Sequence, residues 1–176
     1  MMSRGSKVVG LGLAALIALA CLGSTQASAT IYCTGGPCYG GPAENWMIGT
    51  DGWDLIESYD GRDHIWGMPT GDDLHGGADG DIIYGNPGND VIRGQNGNDW
   101  VLCNVDDCGL DGGNGDDEIH GWVGTDVLIG GPGNDEMYGD DQPDRLYARD
   151  GQKDFVNGGD ANDFCQVDNI DFYQWC

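Results

Sequence analysis

The chain has 176 residues, with 30 acidic against 7 basic side chains, a formal net charge of −23 and 33 glycines. Its length fits one domain, or two small ones at most, and so acidic a surface excludes partners met through negative charge, namely nucleic acid and anionic membrane. Only 39% of residues are hydrophobic, too little for an ordinary two-layer core, yet six Trp, seven Tyr and three Phe argue against a disordered acidic tail.

Residues 1–7 carry Arg4 and Lys7 and no acid, residues 8–22 are apolar, and Ala27-Ser28-Ala29 offers a small-x-small cleavage site. These are the three parts of a secretory signal peptide over 1–29. The apolar run is shorter than the ~20 residues of a membrane span. The expected product is secreted and extracellular. The rival processing, a lipoprotein anchored at Cys21, has Ala18-Leu19-Ala20 before the cysteine, a poor lipid-attachment signal. Without Cys21, six cysteines remain, and an even number in an exported chain reads as disulfides. They fall into three local pairs, so Cys33–Cys38, Cys103–Cys108 and Cys165–Cys176 are the expected bonds.

From Gly49 the chain repeats every nine residues, in thirteen blocks over 49–166, with one residue inserted in the block that starts at 148. The sixth position holds Asp54, Asp63, Asp72, Asp81, Asp90, Asp99, Cys108, Asp117, Asp126, Asp135, Asp144, Asp154 and Asp163. The eighth is apolar throughout, from Ile56 to Val156 and Cys165. Each block divides physically. Its first six residues, rich in Gly, Asn and Asp, favour turns. Its last three alternate, with one apolar side chain between two outward ones, as in a short half-buried strand. So short a strand is unstable alone, and the blocks must stack.

The blocks at 76 (Gly76-Gly77-Ala78-Asp79-Gly80-Asp81-Ile82-Ile83-Tyr84) and 130 (Gly130-Gly131-Pro132-Gly133-Asn134-Asp135-Glu136-Met137-Tyr138) follow GGxGxDxUx. They resemble the RTX, or hemolysin-type, calcium-binding nonapeptide family. The resemblance implies an all-β fold: a right-handed parallel β-roll, a β-solenoid of about 13 nine-residue repeats with two repeats per turn. Eighth-position side chains would then form two facing apolar columns, capped by residues 30–48 and 167–176 at the two ends.

In such a roll, every second block lies about 4.8 Å away, where two carboxylates repel by roughly 0.8 kcal/mol even at the dielectric of water. Rows of Asp need cations between them. Ca²⁺, a hard ion taking 6–8 oxygens, suits carboxylates and turn carbonyls; zinc and copper would want His or thiolate. Several calcium ions are expected on the twelve sixth-position Asp, with Asp63–Asp81, Asp72–Asp90, Asp81–Asp99 and Asp117–Asp135 as the clearest pairs. The alternative is that these Asp only form Asx-turns, which would not require Asp at a single phase. In the block at 103, cysteines replace the first residue and the Asp, so a disulfide is expected where calcium would otherwise bridge the turn.

Only about 19 residues, 30–48, lie between the leader and the repeats, and His64, His75 and His120 all fall at outward positions. No catalytic constellation emerges, and the chain reads as a non-enzyme. An outer face with Trp66, Tyr84, Trp100 and Leu102 is a candidate surface for a glycan, a cell-wall polymer or another protein; outward aromatics also simply favour β-structure. The two readings are a secreted calcium-binding protein and an extracellular adhesion or glycan-binding module with structural calcium.

Overall fold

The structure, a computed structural model, describes residues 8–9, 28–34 and 36–176. The leader expected over 1–29, with Cys21, lies outside the described residues apart from 8–9, 28 and 29.

Strands alternate between two parallel sheets as the chain coils. The first sheet takes Val8–Val9, Ala29–Tyr32, Asn45–Ile48, His64–Trp66, Ile82–Pro87, Trp100–Val105, Glu118–Val123, Glu136–Asp141, Phe155–Asn157 and Phe172–Gln174, in that order. The second takes Gly36–Tyr39, Asp54–Glu57, Asp73–Ala78, Val91–Asn96, Gly109–Asn114, Val127–Ile129, Arg145–Ala148 and Phe164–Val167. The result is a parallel β-roll of about eight turns. Among the described residues no helix is long and apolar enough to cross a membrane.

Register follows the sequence period. Ile65 pairs with Ile83 and Ile83 with Val101, eighteen residues or two blocks apart; Leu74 pairs with Ile92 and Ile92 with Leu110 on the other sheet. The eighth-position residues form two columns that meet inside the roll, each residue from Ile56 to Val156 being at most 1% exposed. The stacking also extends past the regular blocks: Met47 pairs with Ile65, Cys38 with Ile56 and Tyr173 with Val156. Segments 29–48 and 167–175 therefore contribute strands of the same two sheets.

The period-two alternation is longer than three residues. Positions six, eight and one all point inward, as Asp81, Ile83 and Gly85 show, while seven and nine face out. The chain then turns at position two, whose φ is positive in most blocks, from 72° at Trp122 to 114° at Asn104. Glycine meets that demand without strain, which accounts for the second Gly of the motif. Where Trp122 or Met68 occupies it, the side chain accepts the left-handed conformation.

Candidate metal centre

All twelve sixth-position Asp line the two inner corners of the roll. The row that leads into the first sheet holds Asp63, Asp81, Asp99, Asp117, Asp135 and Asp154; the row that leads into the second holds Asp54, Asp72, Asp90, Asp126, Asp144 and Asp163. Each is at most 3% exposed except Asp163, which is half-buried. Successive members are tied by one repeated bond. The backbone N–H of Asp63 donates to Asp81 Oδ1 (2.7 Å), that of Asp81 to Asp99 Oδ1 (2.7 Å), and that of Asp99 to Asp117 Oδ1 (2.8 Å). Asp117 continues to Asp135 at 2.9 Å, and Asp135 to Asp154 at 2.9 Å across the inserted residue. In the other row, Asp54 donates to Asp72 and Asp72 to Asp90, both at 2.8 Å; Asp126 donates to Asp144 at 2.8 Å and Asp144 to Asp163 at 3.0 Å. The expected pairs Asp63–Asp81, Asp72–Asp90, Asp81–Asp99 and Asp117–Asp135 are thus neighbours in the rows.

The second oxygen of each carboxylate is different. Among the described residues, Oδ2 of eleven of these Asp, and Oδ1 of Asp54, are buried without a hydrogen-bond partner. Most of these second oxygens lie over the first glycine of their own block. A Cβ built on Gly76 would meet Asp81 Oδ2 at 2.5 Å and the carbonyl of Gly94, one turn on, at 2.7 Å; one on Gly67 would meet Asp72 Oδ2 at 2.7 Å and the Gly85 carbonyl at 2.8 Å. The backbone φ at these glycines is not positive, so glycine is required here for room rather than for conformation. Its absent side chain leaves a corner where carboxylate and carbonyl oxygens converge.

Burial makes these carboxylates hard to ionise. Desolvation pushes Asp81 up to about 8, and Asp90, Asp117, Asp135 and Asp144 to about 7, against the opposing pull of the N–H each one accepts; like-charged neighbours in the row add to the rise. Asp72, Asp99, Asp126 and Asp154 rise to about 6, again chiefly through burial. A buried anionic oxygen lacking any donor costs several kcal/mol unless a proton or a cation neutralises it. The donor set fits calcium: hard oxygens only, carboxylate and carbonyl, repeated at each turn. It fits Zn²⁺ poorly, since no His or thiolate enters the rows.

Two members of the pattern escape a reading that starts at Gly49. Asn45 is 4% exposed and its N–H donates to Asp63 Oδ1 (2.6 Å), so it stands at the head of a row. The stretch Gly40-Gly41-Pro42-Ala43-Glu44-Asn45-Trp46-Met47-Ile48 is a further nine-residue block with Asn in place of Asp, visible once the frame is run back. Asp171 Oδ1 accepts the N–H of Asp154 (3.2 Å) after one residue is lost from the frame, a deletion that hides it from a search at fixed spacing.

Among the described residues there are three disulfides, Cys33–Cys38, Cys103–Cys108 and Cys165–Cys176. The second shows why positions one and six suit a covalent bond. Elsewhere the Asp oxygen fills the space above the first glycine; in this block a Cβ at Cys103 meets a sulfur from Cys108 instead. The strand register is undisturbed, because the Cys108 N–H still donates to Asp126 Oδ1 (2.7 Å). The row leading into the second sheet is nonetheless split, with Asp54, Asp72 and Asp90 on one side and Asp126, Asp144 and Asp163 on the other.

On the outer face of the first sheet, aromatic rings stack along the roll. Trp46 lies on His64 (4.7 Å between centroids), Trp66 on Tyr84 (5.7 Å, 13° between planes) and His120 on Tyr138 (4.6 Å, 5°), while Trp100 tilts against Tyr84 at 59°. Trp66 and Tyr84 have one face each turned to the other, as cross-strand aromatic pairs do. His64, His75 and His120 are outward, and His75 and His120 meet carboxylates, Asp73 and Glu118, at 2.9 Å each.

Neither the curated proteins nor the solved structures contain a match to the chain. A family model of the RTX calcium-binding nonapeptide repeat, spanning 4 copies, matches residues 39–69, 48–82, 66–101, 110–137 and 129–165. The stretch it passes over, 102–109, is the turn closed by Cys103–Cys108, and its first match already includes the block of Asn45. With buried Asp rows, first-position glycines and two-block register all in place, the chain belongs to the RTX calcium-binding nonapeptide repeat family.

Proposed function

We propose that this is an exported protein whose roll assembles around Ca²⁺ held between successive turns. In this reading the twelve sixth-position Asp supply the carboxylate ligands and the turn carbonyls supply the rest, with calcium acting in folding rather than in catalysis. The observation that carries it is the row of buried, unpartnered carboxylate oxygens, one in every regular turn but the disulfide turn. Extracellular calcium modules bind at ~10⁻⁴–10⁻³ M, so the chain would meet enough of the ion only after export. The leader over 1–29 and the three disulfides agree with that destination.

The test is calorimetric. Asp81→Asn with Asp99→Asn keeps an oxygen to accept the Asp63 and Asp81 N–H groups but removes two charges. The double variant should bind fewer calcium ions than the wild type and need about tenfold more Ca²⁺ to saturate. In chelator it should be no less stable, because two uncompensated charges have gone. Unchanged calcium binding by this variant would refute the assignment.

A further inference from the structure

Asp90 is set apart from the other carboxylates of its row. Its Oδ1 accepts the Asp72 N–H (2.8 Å), but the turn above it presents Cys103 and Cys108 where the others present Gly and Asp. Its Oδ2 is buried and unpartnered, Asp90 itself is 1% exposed, and the two cysteines are 0% and 4% exposed. The carboxylate oxygen and both sulfurs lie within 4.8 Å of one another. The Gly88 carbonyl is 3.7 Å from Cys108 Sγ.

We propose that Asp90, Cys103 and Cys108 form a second kind of metal site, open only when the Cys103–Cys108 bond is reduced, and that it takes a soft or borderline divalent ion such as Zn²⁺. In the oxidised chain the two sulfurs bond to each other and the corner is closed covalently. A dithiol reductant breaks that bond: it gives up two electrons and two protons to the sulfurs and closes to its own disulfide. The two thiols then lose two protons as the metal binds, leaving two thiolates and one carboxylate oxygen around the ion. That donor set suits zinc and is wrong for calcium, which takes oxygen. The same corner is thereby closed by a disulfide or by a soft metal, according to the redox state.

The probe is Co²⁺, whose thiolate complexes absorb by charge transfer. The full chain, freed of metal and reduced by a dithiol without oxygen, should develop that band on titration. A variant with Cys33, Cys38, Cys165 and Cys176 all changed to Ser should keep the band at one ion per chain. Cys103→Ser with Cys108→Ser should remove that ion, and Asp90→Asn should weaken its binding about tenfold or more, the scale on which even outer partners tune a metal site. Should the four-serine variant fail to fold, the reduced wild type is alkylated with iodoacetamide and mapped by mass spectrometry. Zn²⁺ should slow Cys103 and Cys108 about tenfold and leave the other cysteines unchanged. A band of full strength without Cys103 and Cys108, cobalt affinity untouched by Asp90→Asn, or alkylation rates indifferent to Zn²⁺ would overturn the proposal.

Discussion

At the scale of single residues, the roll depends on one exchange of space between two side chains. The carboxylate at position six turns one oxygen to the N–H of the turn before and the other into the room left by glycine at position one. Gly94 shows how little slack remains, since a Cβ there would run into Asp99 Oδ2 and the Gly112 carbonyl. Gly94→Ala should cost about 1–3 kcal/mol of calcium-loaded stability, the usual range for overpacking, because both obstacles are held by the backbone ladder; chemical denaturation in saturating Ca²⁺ measures it. The non-glycine first residues fit the same picture. Cys103 bonds to its position-six partner, and Ala148 heads the block with an inserted residue. Ser58 is the exception in an ordinary block; its hydroxyl donates to the Gly76 carbonyl.

Among the elements, strands and turns differ in how clearly the sequence announces them. The apolar eighth position and the two-block register are legible because a strand only three residues long has no stability except in a stack, so the period must be strict. The Asp phase is legible for the same reason. Less legible is that position six points inward, since Asp in a Gly-rich stretch reads as a turn; only the burial of positions six, eight and one on one side reveals it. Asn45 and Asp171 are obscured by a residue swap and a deletion, although the sheets continue through both. The disulfide turn is an element with a testable counterfactual. Cys103→Gly with Cys108→Asp restores the motif and joins the two halves of a divided row. It should bind more calcium than the wild type, with a steeper titration, while losing the roughly 2 kcal/mol that so short a loop closure contributes in the chain-entropy model. Calorimetric titration beside a calcium-free melt separates the two effects.

For the whole molecule, the apolar columns are one residue wide on each sheet, and stability has to come from neutralising two lines of buried carboxylates. Protons can do this as well as metal. Asp81, with Asp90, Asp117, Asp135 and Asp144, titrates near 7–8 in the ion-free roll against an ordinary value of 3.8. A pKa raised by folding means that the folded state holds its protons longer than the unfolded one. Its contribution to stability is therefore complete below about pH 4 and disappears as pH rises through 6 to 8. In chelator, then, the chain should be folded at pH 4–5 and lose β-structure on approach to pH 8; a gain of stability over that interval would contradict the burial of the rows.

The most direct measurement is circular dichroism of the oxidised chain over residues 30–176 at pH 7.5, titrated with Ca²⁺ from a chelated start and compared with Mg²⁺. A cooperative rise of β-signal is expected with Ca²⁺ and little with Mg²⁺, which keeps its water and demands a tighter octahedral shell. A chain already fully folded in chelator at that pH, and unmoved by calcium, would contradict it.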